Sequence, residues 1–310
     1  VGVIGAGSLG IAIANILAQN AEVLLYARDC AVVQKIAETK EHKGQKLHTK
    51  ITATGDLSYL ATSCDILFPI VPSSSFRTMM QQLSPYLHPF HILIHGTKGL
   101  DISLPKDHSI DTMDELTREN VRTMSEVIMD ESVVVRVGCM AGPNLAKELS
   151  SSQPAATVVA SPFEEVIKAG EDLLRNDLFQ VYGNKDLIGI ELAGVLKNII
   201  AIASGILSGL NHGENAKGLL ISRGMVEMIY LGKAMGGDVK AFLGLAGIGD
   251  LVATCNSTLS RNFTVGYRLA QGEKLNSIIQ SMEEVAEGVN TVKIIKKIIE
   301  HQKLRAPISE

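Results

Sequence analysis

The first ten residues constrain this chain more than any others. Val1–Ile4 is an apolar run of strand length. Gly5-Ala6-Gly7-Ser8-Leu9-Gly10 follows at once and opens an apolar, helical segment, Leu9–Ala18. A G-x-G-x-x-G between a strand and a helix has a mechanical reading. Gly5 permits a tight turn, Gly7 lets the backbone approach a pyrophosphate, and Gly10 lets the helix pack closely on the strand. The helix N-terminus then offers amides and partial positive charge to that pyrophosphate. Gly5, Gly7, Ser8, Leu9 and Gly10 are therefore read as a dinucleotide-binding turn, for NAD or NADP. The alternative, a glycine turn that merely closes a strand–helix junction, explains the spacing less well.

The second strand, Glu22–Tyr26, runs into Arg28 and Asp29. An acid after this strand suits a free ribose 2′-hydroxyl, whereas an arginine suits a 2′-phosphate or stacks on adenine. Arg28 is placed at the adenosine end, and the choice between the two cofactors stays open.

The first half continues to alternate. Asp65–Val71, His91–His95, Val133–Val137 and Ala156–Ala160 read as further strands, each followed by a helical segment. Apolar strands alternating with helices predict a parallel sheet covered on both faces. Pro69 demotes part of its run, or places it at an edge or bulge. Asp101–Glu131 is long and polar and reads as a helical insertion. Around Phe179–Asn184 the character changes. Asp186–Leu210, Leu219–Met235, Ser260–Gln271, Ser277–Ala286 and Val289–His301 all read as helices. The fold class is α/β: a doubly wound Rossmann-type N-terminal domain over 1–184, followed by an all-helical C-terminal domain over 185–310.

The composition agrees. With 46% hydrophobic and 20% charged residues, the chain can bury a sizeable core. A net charge of −4 gives no basic excess for nucleic acid. Cys30, Cys64, Cys139 and Cys255 form no CxxC pair and read as reduced thiols, not a zinc site. No secretory leader is visible, which predicts a cytoplasmic location. Leu187–Leu210 is mostly apolar but holds Glu191 and Lys197, so a buried helix is the better reading than a membrane span.

Lys197 is the most informative side chain. It sits among Val195, Leu196, Ile199, Ile200 and Ile202. A buried ammonium needs a partner, a cavity or a lowered pKa, and a desolvated lysine can donate a proton near neutral pH. A snorkelling lysine or a salt bridge to Glu191 stands level with catalysis on these residues alone. Lys98 follows the strand His91–His95 at its carboxyl end, where ligands of open α/β sheets bind. Its local reading is a surface loop lysine. Asp250 lies in a glycine-flanked turn and reads locally as a cap or turn residue. Ser260-Arg261-Asn262 begins a helix, a geometry that suits a phosphate. On these residues alone, an ordinary capped helix with a solvated arginine is the stronger reading. His91 and His95 would share a strand face about 13 Å apart, too far for one metal. With His88 they read as structural or surface histidines.

Four segments, together with the glycine turn, resemble the bacterial-type NAD(P)-dependent sn-glycerol-3-phosphate dehydrogenase family. They are Gly96-Thr97-Lys98-Gly99-Leu100, Ala141-Gly142-Pro143-Asn144-Leu145-Ala146-Lys147-Glu148, Glu191-Leu192-Ala193-Gly194-Val195-Leu196-Lys197-Asn198, and Gly247-Ile248-Gly249-Asp250-Leu251 with Ser260-Arg261-Asn262. The resemblance covers nearly the whole chain in order and spacing. It implies that Lys197 is the general acid/base, that Lys98 contacts substrate and nicotinamide, and that Asp250 belongs to the substrate site, where we read it as orienting Lys197. It implies substrate contacts from Gly142, Asn144, Ser260, Arg261 and Asn262, with Arg261 also approaching the cofactor. Ala146 and Glu287 would lie on the cofactor side. Where many members carry Ser or Thr, this chain has Asn144. The implied reaction is reduction of dihydroxyacetone phosphate to sn-glycerol 3-phosphate in the cleft between the domains. It needs no metal, feeds glycerophospholipid synthesis, and is carried by a homodimer. Rival readings are a dehydrogenase of the same architecture acting on a 3-hydroxy acid or keto acid, and a non-catalytic nucleotide-binding protein.

Overall fold

The computed structural model describes residues 1–102 and 116–310. They form two compact units. The first comprises Val1–Thr97 and Met124–Leu187; the second comprises Ile188–Glu310 and the described part of Lys98–Thr123. The division expected after residue 184 differs from this grouping mainly in the described part of Lys98–Thr123, which joins the helical unit.

The first unit is built on one eight-stranded sheet. Its strands are β1 (Gly2–Ile4), β2 (Val23–Tyr26), β3 (Ile51–Thr54), β4 (Ile66–Pro69), β5 (Ile92–His95), β6 (Arg136–Ala141), β7 (Ala155–Ala160) and β8 (Phe179–Asn184). Their spatial order is β8-β7-β6-β5-β4-β1-β2-β3, so the chain winds outward in both directions from β1. Ile4 lies opposite both Tyr26 and Pro69 in parallel register. Alternate residues face opposite sides. Val3, Leu25, Phe68 and Ile94 enter one apolar core, while Ile4, Leu67, Leu93 and Val137 enter the other. Both faces are therefore dry, as a parallel sheet requires.

Helices α1 (Ser8–Leu17), α2 (Cys30–Thr39), α3 (Leu57–Ser63), α4 (Ser73–Leu83), α5 (Met124–Glu131), α6 (Ala146–Ser150) and α7 (Glu164–Leu174) connect the strands. The sheet departs from the all-parallel expectation at one pair: β6 and β7 are antiparallel. Helix α6 spans roughly 7 Å, against roughly 20 Å for a six-residue strand. It is too short to carry the chain back along the sheet, so the chain reverses. Two strand boundaries also move. Val133 and Val135 are each 56% exposed, and the strand expected at Val133–Val137 begins at Arg136. Pro69 is the last residue of β4, so the strand expected to reach Val71 stops there.

The second unit is helical: α8 (Leu187–Gly209), α9 (Glu214–Ala234), α10 (Val239–Leu243), α11 (Asp250–Asn256), α12 (Arg261–Ala270), α13 (Leu275–Ser281) and α14 (Glu287–Gln302). Helix α8 is long and apolar enough to cross a membrane, but 83% of its most apolar stretch is buried inside the protein. It packs on α12 backbone to backbone. A Cβ at Gly205 would lie 2.0 Å from Phe263 O, and one at Gly266 would lie 1.9 Å from Ile202 O. This close approach brings Asn198 of α8 to Asn262 of α12. The helix expected over Ser277–Ala286 stops at Ser281, and α14 starts at Glu287.

A short ribbon pairs Asp101–Ile102 with Val121–Arg122 in this unit. The helical insertion expected over 101–131 is helical at α5, and residues 103–115 lie outside the described residues.

Candidate active site

The glycine turn has the geometry its spacing predicts. Gly5 has φ +119°, and a Cβ there would sit 2.3 Å from Ile70 O. A Cβ at Gly10 would sit 1.9 Å from Gly5 O. Neither position has room for a side chain, because strand, turn and helix meet backbone to backbone. Gly7 caps α1, whose first-turn amides, like those of any helix, lack intrahelical acceptors. A diphosphate fits this group of atoms. Gln45 Nε2 donates to Ser8 O at 3.1 Å and steadies the first residue of that helix.

At the far end of β2, Arg28 is exposed. Asp29 caps α2: its Oδ1 accepts from Ala31 N at 2.8 Å. A groove of about 370 Å³, lined by Tyr26, Asp56, Ser58, Gln82 and Tyr86, opens at the carboxyl ends of β2 and β3. Burial is the main cause that raises the Tyr26 pKa above its usual value.

In the helical unit, three of the expected residues meet. Asp250 is the first residue of α11, 2% exposed. It does not cap its own helix with its side chain. Its Oδ2 accepts from Lys98 Nζ at 2.6 Å, and its Oδ1 lies 3.0 Å from Lys197 Nζ. Lys197 is 5% exposed, so its partner is Asp250 and not Glu191. Burial lowers the Lys197 pKa to about 8; the nearby Lys98 charge adds to this, and Asp250 opposes it. The group is therefore poised to hold or release a proton near neutral pH.

Thr254 completes this cluster, and sequence reasoning missed it. Lys197 Nζ donates to Thr254 Oγ1 at 2.5 Å, and that hydroxyl donates onward to Asp250 Oδ1 at 3.1 Å. The available signal was its position, one helical turn after Asp250. Ser204 Oγ donates to Cys255 O at 2.8 Å and so ties α8 to α11 beside the cluster. Burial pushes the Cys255 thiol up to about 12, which keeps it protonated.

The neighbouring amides form a second network. Asn262 Nδ2 donates to Asn198 Oδ1 at 2.8 Å, and Gly288 N donates to Asn262 Oδ1 at 2.9 Å. Asn198 was the other unforeseen residue; it follows Lys197 directly. The expected phosphate ligand Asn262 thus uses both ends of its amide inside the protein and retains one N–H. Ser260 caps α12 through Phe263 N. Arg261, the first residue of α12, has a side chain 47% exposed. Its Nη1 donates to Val285 O at 2.9 Å and lies 3.4 Å from Glu284 Oε2. Glu287 is the first residue of α14, one residue before Gly288.

The remaining expected residues lie in the first unit, with the glycine turn. Gly142 and Asn144 follow β6, and Ala146 begins α6. Thr157 Oγ1 donates to Ala141 O, so it can only accept from Asn144, whose Nδ2 lies 2.9 Å away. That fixes the amide orientation and leaves Asn144 Oδ1 buried with no hydrogen-bond partner among the described residues. A buried acceptor without a donor costs about 1–3 kcal/mol, and a ligand N–H or O–H would satisfy it. His91 is held by backbone, Nε2 to Ala61 O at 2.9 Å and Nδ1 to His88 N at 2.8 Å. It and His95 are fully buried, so they belong to the interior and not the surface.

The chain is similar to known proteins over its full length. The model of the NAD-dependent glycerol-3-phosphate dehydrogenase N-terminus matches residues 1–167, and that of its C-terminus matches 186–310. A glycerol-3-phosphate dehydrogenase [NAD(P)+] of Saccharophagus degradans is 38% identical over 99% of this chain and 82% of its own length. One from Staphylococcus aureus is 37% identical over 99% of this chain and 90% of its own. The crystal structure of a glycerol-3-phosphate dehydrogenase from Coxiella burnetii superposes with a TM-score of 0.87 at 30% identity, covering 99% of this chain and 91% of the other.

Proposed function

Because the chain belongs to the NAD-dependent glycerol-3-phosphate dehydrogenase family, we propose that it interconverts dihydroxyacetone phosphate and sn-glycerol 3-phosphate with NAD(P)H. The observation that carries this reading is the buried Lys197 ammonium, held by Asp250 and Thr254 with its pKa brought to about 8.

The bound nicotinamide supplies or accepts the hydride. The protein's part is proton transfer and orientation. Lys197 gives its proton to the substrate's carbonyl oxygen as C2 becomes a secondary alcohol, and is left as the neutral amine. In the reverse direction the amine takes the hydroxyl proton. A general acid of this kind contributes roughly 10²–10⁴-fold. Asp250 sits between the two lysines and keeps the Lys197 amine directed. Lys98, sharing that carboxylate, adds a second positive charge to polarise the carbonyl. Arg261, with Ser260 and Asn262 at the start of α12, receives the substrate phosphate. The amides of the glycine turn hold the cofactor diphosphate, and Arg28 its adenosine end. Asn144 Oδ1 and Gly142 serve the substrate, and Ala146 and Glu287 the cofactor.

We place this activity in the cytoplasm, supplying glycerophospholipid synthesis, in a homodimer. Leu219, Val226 and Tyr230 support the dimer: they are 65%, 55% and 47% exposed and recur on one face of α9. The deciding experiment is NADH and NADPH oxidation with dihydroxyacetone phosphate, set against a panel of keto acids. Turnover confined to the phosphorylated ketone supports the proposal. Turnover of a keto acid alone, or cofactor binding without turnover, refutes it.

A further inference from the structure

The segment joining α13 to α14 carries Glu283 and Glu284, and Glu287 opens α14, which puts three carboxylates within five residues. The segment folds against Arg261, the residue given the substrate phosphate above. Selection for raw phosphate affinity would not put three carboxylates there. One of them makes a specific contact: Glu284 Oε2 lies 3.4 Å from Arg261 Nη1. The same nitrogen donates to Val285 O at 2.9 Å. A guanidinium binds a phosphate best with two parallel donors, and one end of this fork is already occupied by an anion.

We propose that Glu284 is a competing anion for Arg261: it holds the guanidinium when substrate is absent and must yield when a phosphodianion arrives. Glu284 thereby lowers the affinity for the phosphorylated substrate without touching the reacting carbon. The inference rests on Arg261 being the phosphate ligand. Two features separate competition from simple support. The Val285 carbonyl alone keeps the guanidinium anchored, so Glu284 is not needed to place it. The two side chains are also 47% and 25% exposed, so their attraction is screened by water and a dianion can displace it. The device raises KM, while kcat is set elsewhere.

Steady-state kinetics of Glu284→Gln on the whole enzyme test this. KM for dihydroxyacetone phosphate falls three- to tenfold, kcat stays within twofold, and KM for the nicotinamide cofactor is unchanged. Inorganic phosphate, as a competitive inhibitor, tightens by the same factor. Glu283→Gln removes the same charge one residue away, outside the ion pair, and leaves all of these constants in place. In an Arg261→Ala background, KM is already raised at least tenfold and Glu284→Gln adds nothing. A KM that rises or stays put in Glu284→Gln overturns the proposal, as does an equal drop in Glu283→Gln, which would mean a general charge effect. If Arg261→Ala itself leaves KM and phosphate inhibition unaltered, the assignment of the phosphate to Arg261 falls, and the proposal falls with its premise.

Discussion

The Lys197 ammonium lies 3.0 Å from the Asp250 carboxylate, and both are almost wholly removed from water. Burial works against the charge on the amine, and the carboxylate works for it. The pKa of about 8 is the outcome of that opposition.

The first consequence is a pair of mirror-image pH profiles. Ketone reduction needs the ammonium, so its kcat/KM is level below pH 8 and falls tenfold per unit above it. Alcohol oxidation needs the neutral amine, so its kcat/KM rises up to about pH 8 and then levels. Initial rates from pH 6 to 10 in both directions check this; limbs that move in the same direction contradict it.

Asp250→Asn removes the influence that raises the Lys197 pKa, while burial and the Lys98 charge remain. The limb of the reductive profile should move below pH 8, and reduction at pH 7.5 should fall sharply. Two ammonium groups that shared one carboxylate are left facing each other. Breaking such a buried pair costs about 3–5 kcal/mol, so a drop in thermal midpoint should accompany the shift in the pH limb.

Thr254→Val removes the hydroxyl that accepts from Lys197 and donates to Asp250. A hydrogen bond to a charged group is worth about 1.5–3 kcal/mol, so kcat should drop roughly ten- to a hundredfold with little change in cofactor KM. Thr254→Ser keeps the hydroxyl and should recover activity to within a few-fold. If Val and Ser behave alike, the methyl group matters and the hydroxyl does not.

Gly10→Ala tests the glycine turn. The added Cβ would meet Gly5 O at 1.9 Å, backbone against backbone, so neither side can give cheaply. Quenching or enhancement of NADH fluorescence should show cofactor binding lost or weakened at least a hundredfold. Overpacking of this kind costs about 1–3 kcal/mol, so the variant should still fold and show a lowered melting temperature. Unaltered NADH affinity would remove the turn from the cofactor site.

What the sequence made legible follows from how local each feature is. The β1–glycine–α1 unit is a short-range object, and its residues alone dictate its geometry. Lys197 was conspicuous because a charge in an apolar helix must be accounted for. Its partner was not: Glu191, nearer in sequence, competed with Asp250, and only the packing of α11 on α8 decides between them. Thr254 and Asn198 are ordinary polar residues until the fold buries them at 2% and 4% exposure. The β6–β7 reversal hid in a connection whose helix is too short for a crossover. Val133–Val137 reads as a strand because the run is apolar, yet two of its valines face solvent. The Arg261–Glu284 contact joins residues 23 apart on different elements, and no local pattern announces it.

The account stands most directly on Lys197→Ala, measured as the rate of hydride transfer from bound NADPH to dihydroxyacetone phosphate in a single turnover, with NADPH affinity determined alongside. It predicts a loss of roughly 10²–10⁴-fold in that rate, with NADPH affinity within twofold of the parent protein. A hydride-transfer rate within a few-fold of the parent, at unchanged cofactor affinity, would contradict it.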